Sequence, residues 1–116
     1  MEPQRYPFES AVRELAAMLT RRDYAGIDSL TGGTRLTAAD LLAAVSEYPA
    51  TLVEPPALDA APLDVIEIAH GAVRRWSVNV PLWSVEEGRS DLTLELTVVE
   101  SPSGNFEIQV DGLHVL

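Results

Sequence analysis

The hydrophobic period changes once along this chain, near residue 63, and that change restricts the fold more than any other feature. Before it, apolar residues recur every three or four positions. Phe8, Val12, Leu15, Ala16 and Leu19 form one set, Tyr24, Ile27 and Leu30 a second, and Leu41, Leu42, Val45 and Tyr48 a third. After it, apolar residues alternate with polar ones. Trp76, Val78, Val80 and Leu82 interleave with Ser77, Asn79, Pro81 and Trp83; Leu92, Leu94, Leu96 and Val98 interleave with Thr93, Glu95, Thr97 and Val99; Phe106, Ile108 and Val110 interleave with Glu107, Gln109 and Asp111. The first spacing turns one stripe of a helix inwards, and the second turns one face of a strand inwards. The expected fold is α+β: three N-terminal helices packed on one face of a four- to five-stranded antiparallel sheet.

Punctuation residues set the boundaries. Arg21 and Arg22 suit the negative end of a first helix running from Phe8 to Arg22. Asp23 breaks it and caps a short second helix, which Thr31-Gly32-Gly33 stops. Thr37 followed by Asp40 is close to a capping box, and Pro49 ends the third helix. A short extended piece over Thr51 to Val53 and a proline- and alanine-rich connection over Glu54 to Pro62 follow. Leu63 to Ala69 reads as a strand, His70-Gly71 as a tight turn, Glu86 to Ser90 as an acidic turn around Gly88, and Ser101 to Asn105 as a further turn. Gly112 breaks the last alternation: the apolar positions are even-numbered before it and odd-numbered after it, at Leu113 and Val115. A one-residue bulge there returns both to the core face and leaves His114 exposed.

The 116 residues are one domain's worth, residues 1–116, and enough to bury a core. Cysteine is absent, which excludes disulfides, thiolate catalysis and cysteine-based metal sites. Met1-Glu2-Pro3-Gln4-Arg5 has no apolar run behind it of the signal-peptide kind, and no stretch reaches the length of a membrane span, so the expectation is a cytoplasmic domain with no membrane partner. A net charge of −10 would repel a phosphate backbone, which argues against nucleic acid and fits a basic protein partner.

The stretch Ala11-Val12-Arg13-Glu14-Leu15 followed by Asp23-Tyr24-Ala25-Gly26-Ile27 resembles the first two helices of the nuclear transport factor two-like superfamily, α+β cones of the cystatin-like kind. That resemblance implies helices seated in the concave face of a curved antiparallel sheet. The stretch from Leu82 to Leu96, with Asp111-Gly112-Leu113-His114-Val115-Leu116, is similar to a family of small uncharacterised bacterial domains, and small acidic domains of this kind occur among immunity proteins of toxin–immunity systems. It implies a binding role with no established active site.

No GxSxG, P-loop, HExxH or GxGxxG motif is present, so the expectation leans away from an enzyme, and no cofactor or metal is expected. The two histidines are His70, in a turn, and His114, for which Asp111 is the candidate orienting partner. Glu86, Glu87 and Asp91 match no calcium-loop spacing, and Arg89 lies among them. The polar sheet face is more informative. Trp83, an outward aromatic beside acids, has the composition of a binding hot spot; its alternative is cover by the proline-rich connection or by a second copy. Trp83, Glu86, Glu87 and Glu95 are therefore the candidate protein-binding residues. The leading expectation is a non-enzymatic protein-binding module, an immunity protein facing a basic toxin domain, working as a monomer or small homo-oligomer. The alternative is a small-molecule or enzymatic pocket between helices and sheet, although Leu15, Leu19, Leu41, Val78, Leu94 and Ile108 would line it with apolar groups.

Overall fold

The computed structural model describes residues 6–56, 62–68 and 71–115. The chain runs α1 (Glu9–Arg21), α2 (Tyr24–Thr31), α3 (Ala38–Glu47), β1 (Leu52–Val53), β2 (Asp64–Ile68), β3 (Arg75–Ser84), β4 (Gly88–Glu100) and β5 (Phe106–Val115). This is the expected α+β order, three helices and then an open antiparallel sheet. Within the readings above, residues 1–5, residues 57–61 of the proline- and alanine-rich connection, Ala69 and His70 of the second strand and its turn, and Leu116 lie outside the described residues. No helix among the described residues is long and apolar enough to cross a membrane.

The caps explain the helix boundaries. The Asp23 side chain accepts a hydrogen bond from the Gly26 N–H at 3.0 Å and opens α2. Thr37 opens α3 with a full capping box: its hydroxyl accepts from the Asp40 N–H at 3.3 Å, and Asp40 accepts from the Thr37 N–H at 2.9 Å. Gly32 closes α2 at φ 70°. Arg22 closes α1 at φ 62°, a left-handed conformation in which glycine is the usual residue.

β3 is the centre of the sheet. It pairs along one side with β4, which in turn pairs with β5. Its other side is shared: β2 pairs with it from Arg75 to Asn79, and β1 pairs with Trp83 and Ser84. Pro81 falls in the gap between these two partners, where its lack of an N–H costs no ladder hydrogen bond. The β3–β4 register also shifts between Pro81 and Trp83.

The alternation places Trp76, Val78, Val80 and Leu82 of β3, Leu92, Leu94, Leu96 and Val98 of β4, and Ile108 and Val110 of β5 in one buried layer. Val12, Leu15 and Leu19 of α1, Ile27 of α2 and Leu41 of α3 join them in the same core, all with no solvent exposure. Phe8 completes it at one end, stacked on Tyr6 and packed against Trp76 and Phe106 at ring separations of 5.0 and 5.6 Å. The helical stripes are narrower than their spacing suggests, since Leu30 and Leu42 are exposed.

The expected bulge is present. Glu95 lies opposite Gly112 and Leu96 opposite Val110, so Asp111 is the extra residue of β5. Leu113 regains the core side and packs against it, while His114 is exposed. Val115 departs from expectation. It regains the core side, opposite Leu92, but is exposed because it sits on the last described rung at the end of the sheet.

Candidate functional site

The acidic β3–β4 hairpin is exposed but tied by hydrogen bonds to the end of α3 and to the residue before β1. Val85, Glu86 and Glu87 form its turn, and Gly88 starts β4 at φ 71°. The Glu87 carboxylate lies at the centre of a polar cluster. The Tyr48 hydroxyl, at the C-cap of α3, is 2.8 and 2.9 Å from its two oxygens. Ser84 and Ser90 each donate to Glu87 Oε1 at 2.9 Å, and Ser84 Oγ also accepts from the Glu87 N–H at 3.1 Å. Ser84 and Ser90 are both buried. Glu86 accepts from the Thr51 N–H at 2.8 Å and from its hydroxyl at 3.1 Å. The Val85 N–H donates to the Thr51 carbonyl at 2.9 Å.

These donors favour the ionised acids. The Tyr48 hydroxyl, then Ser90 and Ser84, hold Glu87 below the usual carboxylate range, and the Thr51 backbone N–H does the same for Glu86. The tip therefore presents two ordered negative charges. Between its anchored neighbours, Val85 is 67% exposed, the most open of the large exposed apolar side chains. Asp91 and Arg89 are exposed on the adjoining part of β4.

Trp83 lies at the same end of the sheet, opposite Val53 of β1. It is half-buried and lines a small cleft of about 70 Å³ with Val53, Pro55 and the Ala16, Ala17 and Thr20 side of α1. Glu54 and Pro55, at the start of the proline- and alanine-rich connection, line the same cleft. Its indole Nε1 is buried without a hydrogen-bond partner among the described residues.

Glu95 stands apart from the hairpin tip, on the polar sheet face, where its carboxylate is 3.3 Å from His114 Nε2. Asp111 has other partners. Thr97 donates to it from β4, and Arg35, held at φ 69° in the α2–α3 loop, places Nε 3.0 Å from its Oδ1. The Arg35 Nε–H is directed at Gln109 Oε1, 3.4 Å away, so the Asp111 contact is one of charge. Asp111 and His114 are thus engaged separately, and the structure does not assemble them as a base and its orienter. Among the described residues no group of three or more histidine, aspartate and glutamate side chains is arranged to hold a metal ion.

Of the four sequence-derived candidates, Trp83, Glu86 and Glu87 gather at one end of the sheet and Glu95 does not. The residues that organise this end, Tyr48, Thr51, Ser84 and Ser90, carry no sequence signal of their own, because Tyr48 and Glu87 are 39 positions apart and meet only through the fold. No curated protein and no solved structure matches the chain. A family model does match it over residues 16–116, most of its length, and the chain therefore belongs to DUF7668, a domain of unknown function.

Proposed function

We propose that this domain is a non-enzymatic protein-binding module that engages a basic partner through the acidic tip of its β3–β4 hairpin. One observation carries the reading: an exposed apolar residue, Val85, is followed in the hairpin turn by two carboxylates, Glu86 and Glu87, that intrachain hydrogen bonds already hold in place. A surface ordered before binding loses less conformational entropy when a partner arrives. An apolar contact within a charged rim is also the usual anatomy of a recognition patch. The net charge of −10 supplies long-range attraction to a basic surface. Glu87 already accepts from Tyr48, Ser84 and Ser90, so its contribution is field more than direct contact.

In its sharpest form the module is an immunity protein of a bacterial toxin–immunity system, acting in the cytoplasm on a basic toxin domain. The charge and the resemblance in the C-terminal half support that form. The test is affinity capture on the immobilised domain, followed by association kinetics with the captured protein at low and high salt. Complementary charge accelerates encounter and is screened by ions, so the association rate should fall steeply as salt rises. A salt-independent rate, or a captured partner that is itself acidic, would remove the proposal.

A further inference from the structure

A second feature lies on the helical side of the molecule and does not depend on the protein-binding reading. Between the end of α1, the start of α2, the last turns of α3 and β1 there is a cleft of about 280 Å³, just under the lower end of the usual ligand-pocket range of roughly 300 Å³. Leu42, Val45 and Leu52 supply apolar wall, and Arg22 and Tyr24 supply polar groups. The Tyr24 hydroxyl is buried with no hydrogen-bond partner among the described residues. Arg22 makes no ion pair among the described residues, whereas its neighbour Arg21 is 2.9 Å from Glu14. Arg21 already supplies a cation to the last turn of α1, so the helix terminus does not account for Arg22. The Arg22 backbone is left-handed at φ 62°, as the C-cap of α1.

We propose that this cleft binds a small monocarboxylate with a compact apolar or aromatic body. The carboxylate pairs with the Arg22 guanidinium, whose planar fork matches two carboxylate oxygens, and takes a further hydrogen bond from Tyr24. A single guanidinium in so acidic a molecule suits one negative charge better than a phosphate dianion. The apolar wall takes the ligand body.

The experiment is a titration of the full ¹⁵N-labelled chain by amide-resolved NMR with benzoate, and in parallel with benzamide, its neutral counterpart. Benzoate should give saturable shifts confined to residues 19–24 and 42–52, at about millimolar concentration for so small a probe. Benzamide should bind more weakly by about fivefold or more. Arg22→Gln should weaken benzoate by a similar factor and leave benzamide unchanged, and Tyr24→Phe should weaken benzoate while the spectrum keeps its dispersion. Shifts that do not saturate, shifts located elsewhere, benzamide binding as tightly as benzoate, or indifference to both substitutions would each overturn the proposal. Because the readout is local to the cleft, a negative result leaves the hairpin reading intact, and failure of the salt test leaves this one intact.

Discussion

The Tyr48 hydroxyl, at the end of α3, sits between both carboxylate oxygens of Glu87 and the Ser90 hydroxyl, 2.8–2.9 Å from each. One side chain thereby ties the helical layer to the tip of the β3–β4 hairpin. Tyr48→Phe and Glu87→Ala should each lower the thermal midpoint. Because they remove the same contact, the double variant should be less destabilised than the sum of the two. Additive losses in a thermal melt would show that the contact contributes nothing of its own.

The same cluster sets a pH dependence. Glu87, held by Tyr48, Ser90 and Ser84, and Glu86, held by the Thr51 N–H, both have folded-state pKa values below their ordinary value of 4.5. In the unfolded chain they bind protons more readily, so their contribution is fully present above that value and is lost as pH falls through the lower folded values. Stability followed by denaturant titration from about pH 6 to about pH 3 should therefore decline, and the decline should be shallower in Glu86→Gln/Glu87→Gln. An identical slope in that variant would assign the acid sensitivity to other groups.

The capping box at α3 gives a prediction with a magnitude. Thr37→Ala removes the hydroxyl that accepts the Asp40 N–H and should cost about 1 kcal/mol in chemical denaturation. Thr37→Ser retains an acceptor and should cost much less. Equal losses in both variants would place the effect outside the cap.

What was legible in the sequence, and what was not, divides by range. The capping box of Thr37 and Asp40 spans three residues, and the bulge announces itself as a change of phase at Gly112; both are local patterns with a local cause. The fold class followed from the change of hydrophobic period. The partners of Glu86 and Glu87 did not, because a hydrogen bond between a helix end and a hairpin tip leaves no trace in spacing. The exposure of Val115 also escaped pattern reading: alternation identifies the face a residue occupies, not whether the layer above extends far enough to cover it. Pro81 is a third case. Inside an alternating strand it argues for an edge, yet β3 is central, and only the division of its far side between β2 and β1 accommodates it.

The family match begins at residue 16, but the core does not. Phe8, Val12 and Leu15 are buried, and Phe8 joins the ring cluster with Trp76 and Phe106. Phe8→Ala should cost about 3–5 kcal/mol, as buried aromatic truncations do. A chain trimmed to residues 16–116 should lose cooperative unfolding, because the apolar layer of the sheet would stand open at that end. A trimmed chain that melts with the wild-type transition would show that the first half of α1 is dispensable.

Recognition and folding are confounded in the hairpin acids but separable at their neighbours. Glu86 and Glu87 carry charge and also accept structural hydrogen bonds, so altering them changes stability and association together. Asp91 is exposed on the same part of β4 and has no side-chain hydrogen bond or ion pair among the described residues. Asp91→Asn should therefore leave stability within about 0.5 kcal/mol of wild type. If the tip steers a basic partner, the same substitution should slow association by roughly twofold at low salt, with little effect at high salt. Val85→Ala should do the reverse: trimming an exposed apolar contact leaves the field unchanged, so the association rate should hold while the dissociation rate rises. Stopped-flow kinetics on the two variants, with melting curves as the control, measures both effects. An Asp91→Asn variant that associates as fast as wild type at low salt, together with a Val85→Ala variant that dissociates no faster, would place the binding surface elsewhere on the molecule.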